Sequence, residues 1–187
     1  MSTATEKLNA LFDAIKKGEI KTALNIERVN VDRKNRDYQG YGHLRSWRDK
    51  QGHNLLHKVC EHAPRDPKYV TKLTKLITHL LALGISINAA TLIGRETPLH
   101  CCCLMGNFHL AQILLENHAN PDVRDKDGDT PLHLVQMFNV GEENVNWTKL
   151  LKRYSNYAED DIRNNAGLTP KDVHQKWNPY PMGAIIV

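Results

Sequence analysis

The sequence predicts an all-α solenoid, a stack of helix-turn-helix repeats, and three observations carry that expectation. Thr-Pro-Leu-His occurs twice, as Thr97-Pro98-Leu99-His100 and Thr130-Pro131-Leu132-His133, offset by 33 residues. A motif returning at a period of roughly 20–50 residues marks a stacked repeat, which presents surfaces rather than enclosing a pocket. The tetrapeptide is also a helix start in itself, since Thr is a good N-cap and Pro is preorganised for the first turn. Finally, apolar residues keep helical spacing: Val70, Leu73, Leu76, Ile77, Leu80 and Leu81 on one face, Phe108, Leu110, Ala111, Ile113, Leu114 and Leu115 on another.

The second copy extends upstream of the tetrapeptide. Asp125-Lys126-Asp127-Gly128-Asp129-Thr130-Pro131-Leu132-His133 resembles the ankyrin-repeat signature, in which a turn rich in Asp and Gly leads into Thr-Pro-Leu-His. The preceding copy is nearly complete, with Gly106 between two helical segments, then Ile113-Leu114-Leu115 and Ala119-Asn120. The resemblance is strongest over residues 92–187. It implies an ankyrin stack whose helix pairs are joined by β-hairpin fingers, in a single domain spanning 1–187.

Taken in order, the elements expected are five. Residues 1–48 form a degenerate N-terminal repeat with a long finger: Leu8 to Val31 has a helix–Gly18–helix outline but no turn motif, as suits a capping unit that faces water on one side. Residues 49–91 form a repeat opened by Asp49-Lys50-Gln51-Gly52-His53-Asn54-Leu55-Leu56-His57 and closed by Gly84 and Ile87-Asn88-Ala89. Residues 92–124 are the regular repeat. Residues 125–163 form a repeat with insertions, and 164–187 a truncated last repeat, opened by Gly167-Leu168-Thr169-Pro170, with an apolar tail. The period fails in two places. His57 and His100 are 43 apart, the excess lying around Glu61 to Pro67, where two prolines rule out a continuous helix. Pro131 and Pro170 are 39 apart, the excess falling near Val140–Asn144 and Tyr157–Asp161. Such insertions are tolerated because loop-closure cost grows only logarithmically with length.

Composition bounds the function class. The chain has 187 residues, 41% hydrophobic and 25% charged, an ordinary globular balance. No apolar run approaches a membrane span, and the N-terminus lacks the basic-then-apolar layout of a secretory signal, so a cytoplasmic and also nuclear location is expected. The four cysteines fit reduced thiols. A net charge of +4 is too mild to argue nucleic acid by itself. Its distribution is uneven, however: Arg33, Lys34, Arg36, Arg45, Arg48 and Lys50 face only Asp37 and Asp49 between residues 33 and 50.

Candidate chemistry is weighed against the repeat. His57, His100 and His133 recur at one register position, and the resemblance assigns such a His to bonding the helix-start Thr and the next repeat. His100-Cys101-Cys102-Cys103 with nearby His109 suggests zinc, but zinc sites pair thiolates at Cys-x2–4-Cys spacing. Adjacent residues on a helix diverge by roughly 100°, and small core side chains are the better account of the three cysteines. No nucleophile–base arrangement, phosphate loop or paired carboxylate is legible. The chain is therefore expected to be no enzyme, with no cofactor and no metal.

Surface positions point to a protein partner. In ankyrin proteins the two residues before the inter-helix Gly face the concave groove; here these are Leu104-Met105 and, one repeat on, Met137-Phe138. Leu92-Ile93 occupies a finger tip where the next repeat has Lys126-Asp127. The long finger carries Tyr38, Tyr41, Arg45, Trp47 and Arg48, residue types enriched at binding hot spots. These residues are the expected partner contacts. The function expected is non-catalytic protein–protein interaction by a monomer that acts as a regulatory subunit, adaptor or inhibitor, for example of a cell-cycle kinase or a Rel-type transcription factor. The alternative is a nucleic-acid-contacting module using the basic aromatic segment 33–50.

Overall fold

The computed structural model describes residues 10–15, 17, 19, 45–138, 142–157 and 162–177, and of 142–144 and 177 the backbone only. Residues 10–15 are helical. The helices that follow are α1 (Leu55–His62), α2 (Val70–Ala82), α3 (Pro98–Met105), α4 (Phe108–Glu116), α5 (Pro131–Phe138), α6 (Glu142–Tyr154) and α7 (Pro170–Trp177), with a 3-10 turn at Pro67–Tyr69 before α2. They form two layers. The inner layer runs α1, α3, α5, α7, each packed on the next, and the outer layer runs α2, α4, α6 in the same way. Among the described residues none is in a strand, so the fingers are tight turns rather than paired ribbons. Nor is any helix long and apolar enough to cross a membrane.

The first three inner helices start by the same device. At the first, Asn54 N–H donates to His57 Nδ1 at 3.1 Å, and the His57 amide donates back to Asn54 Oδ1. Thr97 N–H meets His100 Nδ1 at 3.1 Å, and Thr130 N–H meets His133 Nδ1 at 3.2 Å. The other ring nitrogen reaches forward one repeat. Nε2 of His57 donates to the Glu96 carbonyl at 3.0 Å, His100 to Asp129 at 3.2 Å, and His133 to Leu168 at 3.1 Å. The last helix breaks the series: Asp172 takes the His position, accepting from Thr169 N–H and donating nothing onward.

The fingers stack on one another through their backbones. Leu92 N–H donates to Gln51 O, Lys126 N–H to Gly94 O, and Asn165 N–H to Asp127 O. Three of the turns are closed by an Asx side chain: Asp49, Asp125 and Asn164 each accept from amides two and four residues on. The finger at 91–96 departs from them. Thr91 replaces the Asx, its N–H bonds Glu96 O across one extra residue, and Arg95 sits at φ 55° where the other fingers place glycine. Gly52 and Gly128 allow the close approach. A Cβ on either would stand 2.7 Å from the backbone nitrogen of Leu92 or Asn165 on the next finger.

The core runs without a break from Leu11 and Ile15 to Leu151. It includes Cys60, Cys101, Cys102 and Cys103, all buried. The thiols therefore sit where the sequence expectation put small core side chains, Cys102 against Cys60 across the repeat boundary. Trp147, fully buried, fills the outer layer at α6 and meets Phe108 of α4 edge-on.

Candidate interaction surface

The groups most suggestive of chemistry are committed to the scaffold. A carbonyl partner at Nε2 requires the proton there, which leaves Nδ1 to accept from the capping amide. Burial favours this neutral form and lowers the pKa of His57 and of His100 to about 4, and that of His133 in the same direction. Burial likewise pushes the thiols of Cys101, Cys102 and Cys103 well above the ordinary range, which makes them poor nucleophiles and poor metal ligands. Among the described residues no three His, Cys, Asp or Glu side chains come together as a metal site.

A charged network that the sequence reading did not single out lies at the start of the stack. Lys58 Nζ stands 2.8 Å from both Asp49 and Glu61, and His53 bonds Asp49 at 2.8 Å and reaches Glu61 at 3.4 Å. Burial draws the Asp49 carboxyl upward, but the bonds from Lys58 and His53 outweigh it and hold it well below its usual range. Lys58, opposed by burial, is raised by the same two carboxylates. The network ties the 49–53 turn to α1. The only sequence signal for it is an acid–base alternation at Asp49, His53, Lys58 and Glu61, readable once the helix start at Asn54 is known.

Apolar surface appears where the register predicted outward-facing positions. Leu92 is 77% exposed and Ile93 71%, at the tip of the longer finger. Met105 (38%) and Phe138 (59%) hold equivalent places at the ends of α3 and α5, one repeat apart. Their neighbours behave otherwise. Leu104 and Met137 are half-buried and pack against the core, so each pair divides into one residue turned inward and one turned out.

The basic segment is only partly described. Tyr38 and Tyr41 lie outside the described residues. Trp47 is half-buried and packs on Phe12, ring centroids 5.7 Å apart. The exposed Arg48 turns its guanidinium to the Arg45 and Trp47 carbonyls, at 3.2 and 2.7 Å. Arg45 lies across Gly84, at the end of α2.

Comparison with known proteins agrees with this architecture. A family model of three ankyrin repeats matches residues 68–161, half of the chain. An ankyrin repeat protein of fowlpox virus (strain NVSL) is 33% identical over 117 residues, 60% of this chain and 33% of its own. An ankyrin repeat-containing protein of Schizosaccharomyces pombe is 31% identical over 108 residues, 58% of this chain and 48% of its own. The nuclear factor NF-kappa-B p105 subunit of Gallus gallus is 26% identical over 174 residues, 90% of this chain but 15% of the relative. The chain thus spans less than half the length of each of these relatives.

Proposed function

This chain belongs to the ankyrin-repeat family, whose repeats are in general non-catalytic protein-binding modules, and from that premise we propose that it captures a protein partner across its finger tips and concave groove. The observation that carries the reading is the exposure of Leu92 and Ile93 on a finger lengthened by one residue. Leu92 lies over Gly52 of the preceding finger, yet both side chains remain largely open to solvent. Their burial against a partner would contribute about 3 kcal/mol, roughly a hundredfold in affinity. Met105 and Phe138 extend the surface along the inner helices, with Arg45, Arg48 and Trp47, and with Tyr38 and Tyr41, completing it at the first finger. Leu104 and Met137 support it from beneath.

The effect of such binding is occlusion, the chain acting as a regulatory subunit, adaptor or inhibitor. Of the two partner classes considered, a Rel-type transcription factor is supported over a cell-cycle kinase by the alignment with an NF-kappa-B subunit across 90% of the chain. The test is affinity capture from the native cell, comparing the wild-type chain with Leu92→Glu/Ile93→Lys. The expected result is a protein recovered stoichiometrically with the wild type and lost from the variant, with both helical spectra alike. Equal recovery by the two chains would refute the fingertip assignment. Leu104 is unsuitable for this purpose, since a charge placed against the core tests folding rather than capture.

A further inference from the structure

The fingers turn their carboxylates inward and leave their cations outside. Asp49 is held by Lys58 and His53. Asp125 closes its own turn by accepting from the Asp127 and Asp129 amides, and the buried Asp129 accepts from Asn164 Nδ2 at 2.7 Å. Glu96 is half-buried, with its carboxylate folded back over Gly94. In the described turns 48–53, 90–96, 124–129 and 163–168, Asp127 is thus the one exposed carboxylate. Against it stand six exposed cations, Arg48, Lys50, Arg95, Arg124, Lys126 and Arg163.

The register orders these cations around the apolar pair. Arg48, Arg124 and Arg163 each immediately precede the Asx residue that opens a turn, and Lys50, Leu92 and Lys126 each follow the opening residue. The backbone bonds from Leu92 N–H to Gln51 O and from Lys126 N–H to Gly94 O stack these positions. Leu92 therefore lies between a lysine on the finger before and a lysine on the finger after, with Arg95 on its own finger. Among the described residues the side chains of Lys50, Arg95 and Arg124 make no hydrogen bond or ion pair. Lys126 and Arg163 have carboxylates only at 3.9 and 3.8 Å, those of Asp127 and Asp172. No Phe, Tyr or Trp lies in these turns, so they lack the stacking platforms that single-stranded nucleic acid uses. An exposed apolar pair bracketed by cations is complementary to a peptide whose acidic residues flank an apolar one.

We propose that the finger edge receives an acidic segment of the protein partner, one in which Asp or Glu residues flank a large apolar side chain. The apolar residue covers Leu92 and Ile93. Its acidic neighbours face Lys50 and Arg95 on one side and Arg124 and Lys126 on the other. Charges at so exposed an edge select and steer the partner, while the apolar contact supplies most of the affinity. This occupant presupposes capture at the finger tips and specifies its chemistry.

The test is titration of the isotope-labelled full chain, followed by nuclear magnetic resonance, with acetyl-Ser-Glu-Asp-Leu-Leu-Asp-Glu-Ser-amide. The comparison ligands are its Gln/Asn counterpart, the same acidic peptide with Ser in place of both Leu, and a short oligo-deoxythymidine. The expected result is saturable shifts at Leu92, Ile93, Arg95 and Lys126 with the acidic Leu peptide, and binding weaker by about tenfold or more for both other peptides. Lys50→Gln/Arg95→Gln/Lys126→Gln should weaken the acidic Leu peptide by a similar factor, leave the Gln/Asn peptide unchanged and keep the rest of the spectrum in place. Equal binding of the Gln/Asn peptide at the same residues would overturn the acidic requirement while leaving fingertip capture intact. Tighter binding of the oligonucleotide there would overturn it in favour of nucleic acid. Acidic binding indifferent to the triple variant, or no saturable shift at the fingers into the millimolar range, would overturn it as well. Capture by the Leu92→Glu/Ile93→Lys chain decides the fingertip reading independently.

Discussion

His57, His100 and His133 each join a helix start to the following repeat, and they do so as neutral rings. Protonating Nδ1 would set an N–H against the capping amide that it now accepts from, so the folded chain resists the proton. The consequence for stability has a definite sign. Each folded pKa lies below the ordinary value of 6.5, that of His57 and of His100 at about 4. As pH falls below 6.5 the unfolded chain therefore binds protons that the native chain refuses, and stability is lost down to pH 4. Asp129, raised mainly by burial, works in the opposite sense but stands against three. Urea unfolding is expected to show a midpoint that falls steadily from pH 7 to pH 4.5, and a flat profile would contradict the account. His100→Ala strands the Thr97 amide and the Asp129 carbonyl inside the stack. It should cost about 3 kcal/mol and make the acid limb shallower, by the same measurement.

Helices and fingers follow local rules, and their exceptions are measurable. Among the described residues two non-glycines occupy left-handed backbone, Arg95 at the longer finger and His118 at the end of α4. His118 holds the place that Gly84 takes after α2: the residue following each makes the same long return bond, Ala119 N–H to Leu114 O and Ile85 N–H to Leu80 O. Arg95→Gly and His118→Gly should each stabilise by about 0.5–1 kcal/mol, read from thermal or urea unfolding, because the relief of the left-handed penalty exceeds the added chain entropy. Stacking of the fingers gives a second comparison at this scale. Gly128 is covered by Asn165, whereas a Cβ on Gly167 would meet nothing within 4 Å. Gly128→Ala is expected to cost about 2 kcal/mol and Gly167→Ala about 1 kcal/mol. Equal losses would show that the approach of the next finger is not what Gly128 serves.

At the scale of the whole molecule, the repeat builds the scaffold and its irregularities shape the surface. The repeating His, the helix starts and the α2 and α4 faces were legible in the sequence because they obey a period, and a period converts position into direction. Leu92 and Ile93 were legible for the same reason, as apolar residues at a place the register turns outward. The division within Leu104-Met105 and Met137-Phe138 was not, because which member of a pair packs inward depends on helix rotation, to which spacing is blind. The Asp49–Lys58–Glu61–His53 network was also hidden, because it depends on how the 49–53 turn leads into α1. Surface and scaffold are separable by this account. Leu92→Glu/Ile93→Lys should shift unfolding stability by no more than about 0.5 kcal/mol, as substitutions away from the core do. The most direct test of that separation is amide hydrogen exchange of the chain alone and with its captured partner. Slowed exchange is predicted in the finger at 91–96 and at the ends of α3 and α5 around Met105 and Phe138. Protection confined to other parts of the stack, or none on binding, would contradict it.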